Sequence, residues 1–214
     1  ETAEIKTDQH LSLQNADSKL TDTFALDASG KLVIQESRLE ATAYTAKASD
    51  IESNASDIVV GSGGISVESD NLTQTNNTMA AKGKVDVTVT ERLKNDNSTI
   101  QSHETDVHLS AQTLQNTNES SIYAEETLSI TSTDLENTTS DIVTAGTGDH
   151  QFTVTNKLTN SGSISGIGSL VFVANDIDNQ NGIIQSLSSL EFNGQQFNNN
   201  NGTLLALSDL NWSG

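Results

Sequence analysis

The chain has no cysteine, no proline and one methionine, and only 4% of its residues are aromatic. Without cysteine there are no disulfide staples and no thiolate metal sites. Basic residues are scarce as well: 10 Lys and Arg stand against 29 Asp and Glu, a formal charge of -19. That balance predicts no nucleic-acid partner and no anionic membrane partner, because phosphate binding needs clustered Lys and Arg. No apolar run approaches the roughly 20 residues that span a bilayer, so no membrane insertion is expected. An initiator Met and a secretion signal are missing, and Glu1 falls inside a running pattern. The expectation is a fragment of a longer protein. So polar a composition could mean disorder. The apolar residues argue otherwise, because they are few but regularly placed.

That regularity is a phrase of about 21 residues. Its first apolar position is Leu72, Leu93, Leu114, Leu135, Leu158, Ile177 and Phe197, at steps of 21, 21, 21, 23, 19 and 20. Two places later stands Asn95, Asn116, Asn137, Asn160, Asn179 or Asn199. A second apolar position follows at Met79, Ile100, Ile122, Ile142, Ile164, Ile184 and Leu204. An alternating group comes third: Val85/Val87, Val107/Leu109, Leu128/Ile130, Phe152/Val154, Leu170/Phe172, Leu190/Phe192 and Leu210/Trp212. A repeat this short means a solenoid. The apolar groups alternate with polar residues, the period of a strand with one buried face. No window carries helical spacing. Three short strands per turn, joined by Asn-, Gly-, Ser- and Thr-rich corners, predict an all-β, three-sided parallel β-helix of roughly ten coils. The crossover rule makes it right-handed. One coil buries too few apolar side chains to offset the ordering of some twenty residues, so stability must belong to the array. At about 4.8 Å per coil, the rod would be about 45–50 Å long.

The Asn at plus two shares strand parity with the apolar residue before it and should point inward near a corner. A lone buried amide is costly. Stacked at every level, each amide can donate to the next and accept from the last, as in amide ladders. Asn also tolerates the left-handed backbone a corner needs.

Upstream, Asp50 to Val59 copies Asp134 to Val143 almost position for position, and Ile65/Val67 completes that coil. Leu39 to Ile51 is twelve residues, too short for a turn, and predicts a compressed coil around Tyr44. Leu20, Leu26 and Leu32/Ile34 restore the rhythm, with Leu11/Leu13 ending an incomplete coil. Residues 1–150 hold 25 of the 29 acidic residues, and 151–214 are rich in Gly and Asn. No linker separates the two textures, which predicts a single β-helix over 1–214. The long step to Leu158 puts extra residues in a protruding corner, Ala145 to His150. Gly146, Thr147, Gly148, Asp149 and His150 are therefore the candidate partner-binding loop, since functional residues gather on irregular loops.

Catalytic signals are weak. Asp176 and Asp178 flank Ile177 and should point outward together; a solvated face outweighs a cation site or an acid/base pair. His103 and His108 have opposite strand parity, which disfavours zinc. His10 and His150 read as surface residues. Tyr44 and Tyr123 could stack on sugars from exposed positions. Asn-x-Ser/Thr triplets such as Asn71-Leu72-Thr73, Asn97-Ser98-Thr99, Asn118-Glu119-Ser120 and Asn201-Gly202-Thr203 arise by chance in such a composition. No phosphate loop, calcium nonapeptide or nucleophile elbow occurs, so neither a cofactor nor a catalytic residue is assigned.

The phrases Asn160-Ser161-Gly162-Ser163-Ile164, Asn179-Gln180-Asn181-Gly182-Ile183-Ile184 and Asn199-Asn200-Asn201-Gly202-Thr203-Leu204, each followed by Leu-x-Phe or Leu-x-Trp, resemble the repeats of filamentous haemagglutinin-type exoproteins. The resemblance is closest over 151–214 and looser over about 50–150. It implies a large secreted bacterial protein, exported by an outer-membrane barrel in two-partner secretion. Such proteins include adhesins and effectors of contact-dependent growth inhibition. The leading expectation is a non-enzymatic stem holding an adhesive or toxic tip. The alternatives are a segment that itself binds a target-cell receptor or glycan, and a carbohydrate-active β-helix.

Overall fold

The computed structural model describes residues 2–214; Glu1 lies outside them. Strands and corners account for the described chain, and none of it is helical. Every strand pairing is parallel, and each joins residues about 21 apart. The chain is a β-solenoid of about ten turns whose strands fall into three stacked columns.

The first column runs Leu11, Leu32, Ile51, Leu72, Leu93, Leu114, Leu135, Leu158, Ile177, Phe197. The second runs Ser18, Leu39, Ile58, Met79, Ile100, Ile122, Ile142, Ile164, Ile184, Leu204. The third runs Ile5, Leu26, Ala46, Val67, Val87, Leu109, Ile130, Phe152, Phe172, Phe192, Trp212. These columns are the core. Each side chain lies on its counterparts one coil away, so like packs on like. The rings of Phe152 and Phe172 stack with centroids 4.6 Å apart, and those of Phe172 and Phe192 are 5.0 Å apart. Such stacks add to the stabilisation from area burial.

Two expectations about phase are corrected. There is no compressed coil at Tyr44. Leu39 stands in the second column, between Ser18 and Ile58, while Leu32 is the first-column residue of its coil. The step from Leu32 to Ile51 is 19, close to the others. Further along, Phe152 aligns with Phe172 and not with Leu170. The residue opposite Leu170 is His150.

Left-handed backbone also falls elsewhere than expected. The ladder asparagines Asn95, Asn116 and Asn137 are not the left-handed residues. Those are exposed corner residues that follow them, including Asn97 (φ 46°), Asn118 (φ 59°) and Thr139 (φ 50°). A buried amide and a left-handed corner are separate jobs, given to separate residues. At Gly162 the need is space: a Cβ would sit 2.1 Å from the Ser140 carbonyl oxygen one coil below.

Candidate functional site

The six asparagines after the first column form one continuous chain. Each Nδ2 donates to the Oδ1 of the next coil: Asn95 to Asn116, Asn116 to Asn137 and Asn137 to Asn160 at 2.8 Å, Asn160 to Asn179 at 2.6 Å, Asn179 to Asn199 at 2.7 Å. The second Nδ2 hydrogen is aimed at backbone carbonyls; Asn137 donates to Ser140 O and Ser163 O, each at 3.1 Å. Asn95, Asn116, Asn137, Asn160 and Asn179 are wholly buried. The chain of amides stops at Gln74, which occupies the ladder position below Asn95. Gln74 turns its Oε1 to Asn77 Nδ2 at 2.8 Å. Its own Nε2 and the Asn95 Oδ1 are both buried without a partner.

A second polar column went unforeseen. Ser37, Ser56, Ser98, Ser120 and Ser140 each accept, through Oγ, the backbone N–H of the matching residue one coil below, at 3.0–3.1 Å. Asn77 fills the one gap, its Oδ1 accepting from Ser56 N–H at 3.1 Å. The sequence signal was a Ser five or six places after the first-column residues Leu32, Ile51, Leu93, Leu114 and Leu135. Both columns satisfy corner groups that no strand partner reaches.

The candidate loop divides into two parts. Thr147, Gly148 and Asp149 are exposed, and Gly146 is half-buried. His150 is wholly buried and begins the strand His150–Asn160. The expectation of a surface histidine is corrected: His150 occupies the core position that Leu170 fills one coil above. Its Nδ1 accepts the Leu128 N–H at 3.2 Å, and its Nε2 lies 3.0 Å from the Gly146 carbonyl. With Nδ1 an acceptor, the ring proton is on Nε2 and donates to that carbonyl. Burial pulls the imidazole below the usual histidine range, opposed by the Gly146 carbonyl and Asp149.

The other candidates are scattered. Tyr44 is buried between Phe24 and Ile65, which corrects the notion of an exposed stacking ring; burial pushes its phenol up. Tyr123 is half-buried, and its hydroxyl donates to Glu125, which raises the phenol. Its ring lies 6.4 Å from that of exposed His103. His108 sits on the strand Val107–Thr117, whereas His103 lies in the corner before it. His10 is exposed, and its Nδ1 accepts the Lys31 N–H at 2.8 Å. Asp176 and Asp178 share one strand, Leu170–Asp178, and both are half-exposed. Asp178 is held by Lys157 Nζ at 3.1 Å and Asn198 Nδ2 at 3.0 Å. Lys94 and Asn118 hold the Asp96 carboxyl below the usual range. Among the described residues, no three His, Asp or Glu side chains gather as a metal site would require. No described helix is long and apolar enough to cross a membrane.

Comparison with known proteins agrees with the coil-by-coil pattern. The haemagglutinin repeat matches residues 25–162 and again 153–214. No curated protein and no solved structure matches the chain. The two matched spans cover nearly every coil described above, and the chain belongs to the haemagglutinin-repeat family.

Proposed function

We propose that this chain is a non-enzymatic stem segment of a secreted bacterial filamentous exoprotein, presenting an adhesive or toxic tip at the cell surface. The observation that carries the reading is the continuous parallel pairing: each coil of about 21 residues pairs with the next along the three columns, and the register shifts only between columns, as at Ala41/Ala43 and Val154/Lys157. In such a stack, sequence length becomes reach, at about 4.8 Å per coil. Stability grows by nearest-neighbour contacts, so a stem can be long without one large core. The family supports passage through an outer-membrane transporter barrel during secretion. The absence of cysteine suits a chain that must stay unfolded on the way out. No cofactor has a role in this reading.

The test removes one whole coil. Deleting residues 114–134 joins Thr113 to Leu135, which shares a column with Leu114. In the parent exoprotein the expected result is retained secretion and retained tip activity, with reach shortened by about one strand spacing. The purified chain at micromolar concentration should bind no target cells. Saturable binding would replace the stem with the second reading, a segment that itself contacts a target-cell receptor or glycan. The exposed corner Thr147–Asp149 is what favours that alternative.

A further inference from the structure

The corner Ala145–Asp149 has five residues between strands, whereas the corners one coil below (Glu125–Thr127) and one coil above (Ile167–Ser169) have three. An enlarged corner needs an anchor, and His150 supplies it. The imidazole fills an apolar column position and ties two coils together. It accepts from the Leu128 backbone below and donates to Gly146 within the corner. The Gly146 carbonyl also accepts the Gly168 N–H from the coil above, at 2.8 Å. Gly146 is pressed so closely on the lower corner that a Cβ would lie 1.9 Å from the Glu126 carbonyl oxygen. Around Gly148 there is open space. One buried ring thus sets the shape of an exposed loop.

We infer that His150 is an acid-sensitive latch, which holds the corner Ala145–Asp149 against the stack while neutral and releases it when protonated. A second ring proton must go on Nδ1, where the Leu128 N–H already points. Two donors would then face each other, and a cation would sit among apolar side chains. The imidazolium has a better place outside. Asp149 lies beside it on its own corner, and Glu125 and Glu126 lie on the corner below. The corner above, Ile167–Ser169, carries no charge. Leaving the core takes from the Gly146 carbonyl one of its two donors and loosens its exposed neighbours, while Leu128 loses its acceptor. The surface that the corner offers a partner therefore differs between neutral and acidic surroundings. This stands whether the chain is a plain stem or a binding segment.

Histidine NMR titration and amide exchange of the intact chain, between about pH 8 and about pH 4.5, test the latch. His150 should titrate below ordinary histidine. Protection of the Leu128 amide should fall about tenfold across that step, beyond the intrinsic pH effect, while that of Leu109 holds. His150→Leu restores the residue type at position 170 and should abolish the step. His150→Gln keeps a donor and an acceptor without a titrating group, and should also remain closed in acid. Titration near the ordinary value with unchanged Leu128 protection would overturn the inference. So would the same acid step in either variant.

Discussion

Removing one rung of the amide ladder separates an interior hydrogen-bond chain from mere surface polarity. Asn137 is an interior rung, the third of six: it accepts from Asn116 and donates to Asn160, Ser140 O and Ser163 O. In Asn137→Ala the Asn160 Oδ1 loses its donor while wholly buried. Asn116 Nδ2 keeps a bond to Asp141 O at 3.1 Å, and Ser140 O keeps the Ser163 N–H at 2.9 Å. One orphaned acceptor costs about 1–3 kcal/mol, and the weakened carbonyl bonds about 1 kcal/mol more. The expected loss is about 3 kcal/mol, read as a lower guanidinium midpoint. Asn175→Ala is the control, because that side chain is exposed; its effect should stay within about 0.5 kcal/mol. Asn137→Asp removes the donor without opening a cavity and should cost at least as much at neutral pH, since two acceptors then face each other. Amide exchange near Ser163 localises the damage, because neighbouring coils share the stability of an array. Equal midpoints for Asn137→Ala and Asn175→Ala would refute the reasoning.

Other consequences are equally direct. Gln74→Asn combined with Asn77→Ser imposes the pattern of Asn95 and Ser98; it should pair the orphaned Asn95 Oδ1 and raise the unfolding free energy by about 1–2 kcal/mol, and a lower denaturant midpoint would contradict it. Thr139→Asn relieves a β-branched residue from left-handed backbone at φ 50° and should gain about 1 kcal/mol in the same denaturation assay. Phe172→Ala empties the middle of a three-ring stack and should cost about 3–5 kcal/mol, measured by calorimetry or denaturant. For pH, the unfolded His150 binds its proton at about 6.5, above the folded imidazole. The unfolded state therefore takes up more protons as pH falls through that value. Stability should decline from there toward the lower folded pKa and be flat in His150→Leu over that window.

The repeat was legible because each coil obeys the same parity. From Ile51 onward, one alternating pattern decides which side chains enter the core, and the structure stacks them so. What failed to show was phase where the marker residue changes type. Ser18 and Leu39 share the second column with Ile58, but a serine gives no apolar signal, so Leu39 was placed in the wrong column. The same blindness hid His150. A histidine two places before Phe152 looks polar, yet the phenylalanine column places it opposite Leu170. Tyr44 was obscured by the same phase error and lies inside. The serine column could have been found from spacing alone. The left-handed corners could not be read from the ladder asparagine, because Thr139 and Ala55 stand where Asn97 and Asn118 set the preference.

The ion pairs show where cohesion does and does not come from. Lys6–Asp27, Lys19–Glu40, Lys31–Glu52, Lys47–Glu68 and Lys157–Asp178 each join residues 21 apart, with the cation always on the earlier coil. Each of these pairs keeps at least one partner well exposed to water, where such pairs contribute little. The 29 acidic residues far outnumber the 10 cations, so most of the surface repels itself. The stack must therefore be held by its apolar columns and its buried amides, which are neutral and carry no charge for salt to screen. Registry is another matter. A slip of one residue turns every inward side chain out, and it would also part these five lysines from their acids and each ladder asparagine from the next. The interior supplies the attraction, and the repeating polar contacts reject the wrong alignments. The surplus negative charge disfavours side-by-side association of two such rods, leaving growth along the axis as the cohesive direction.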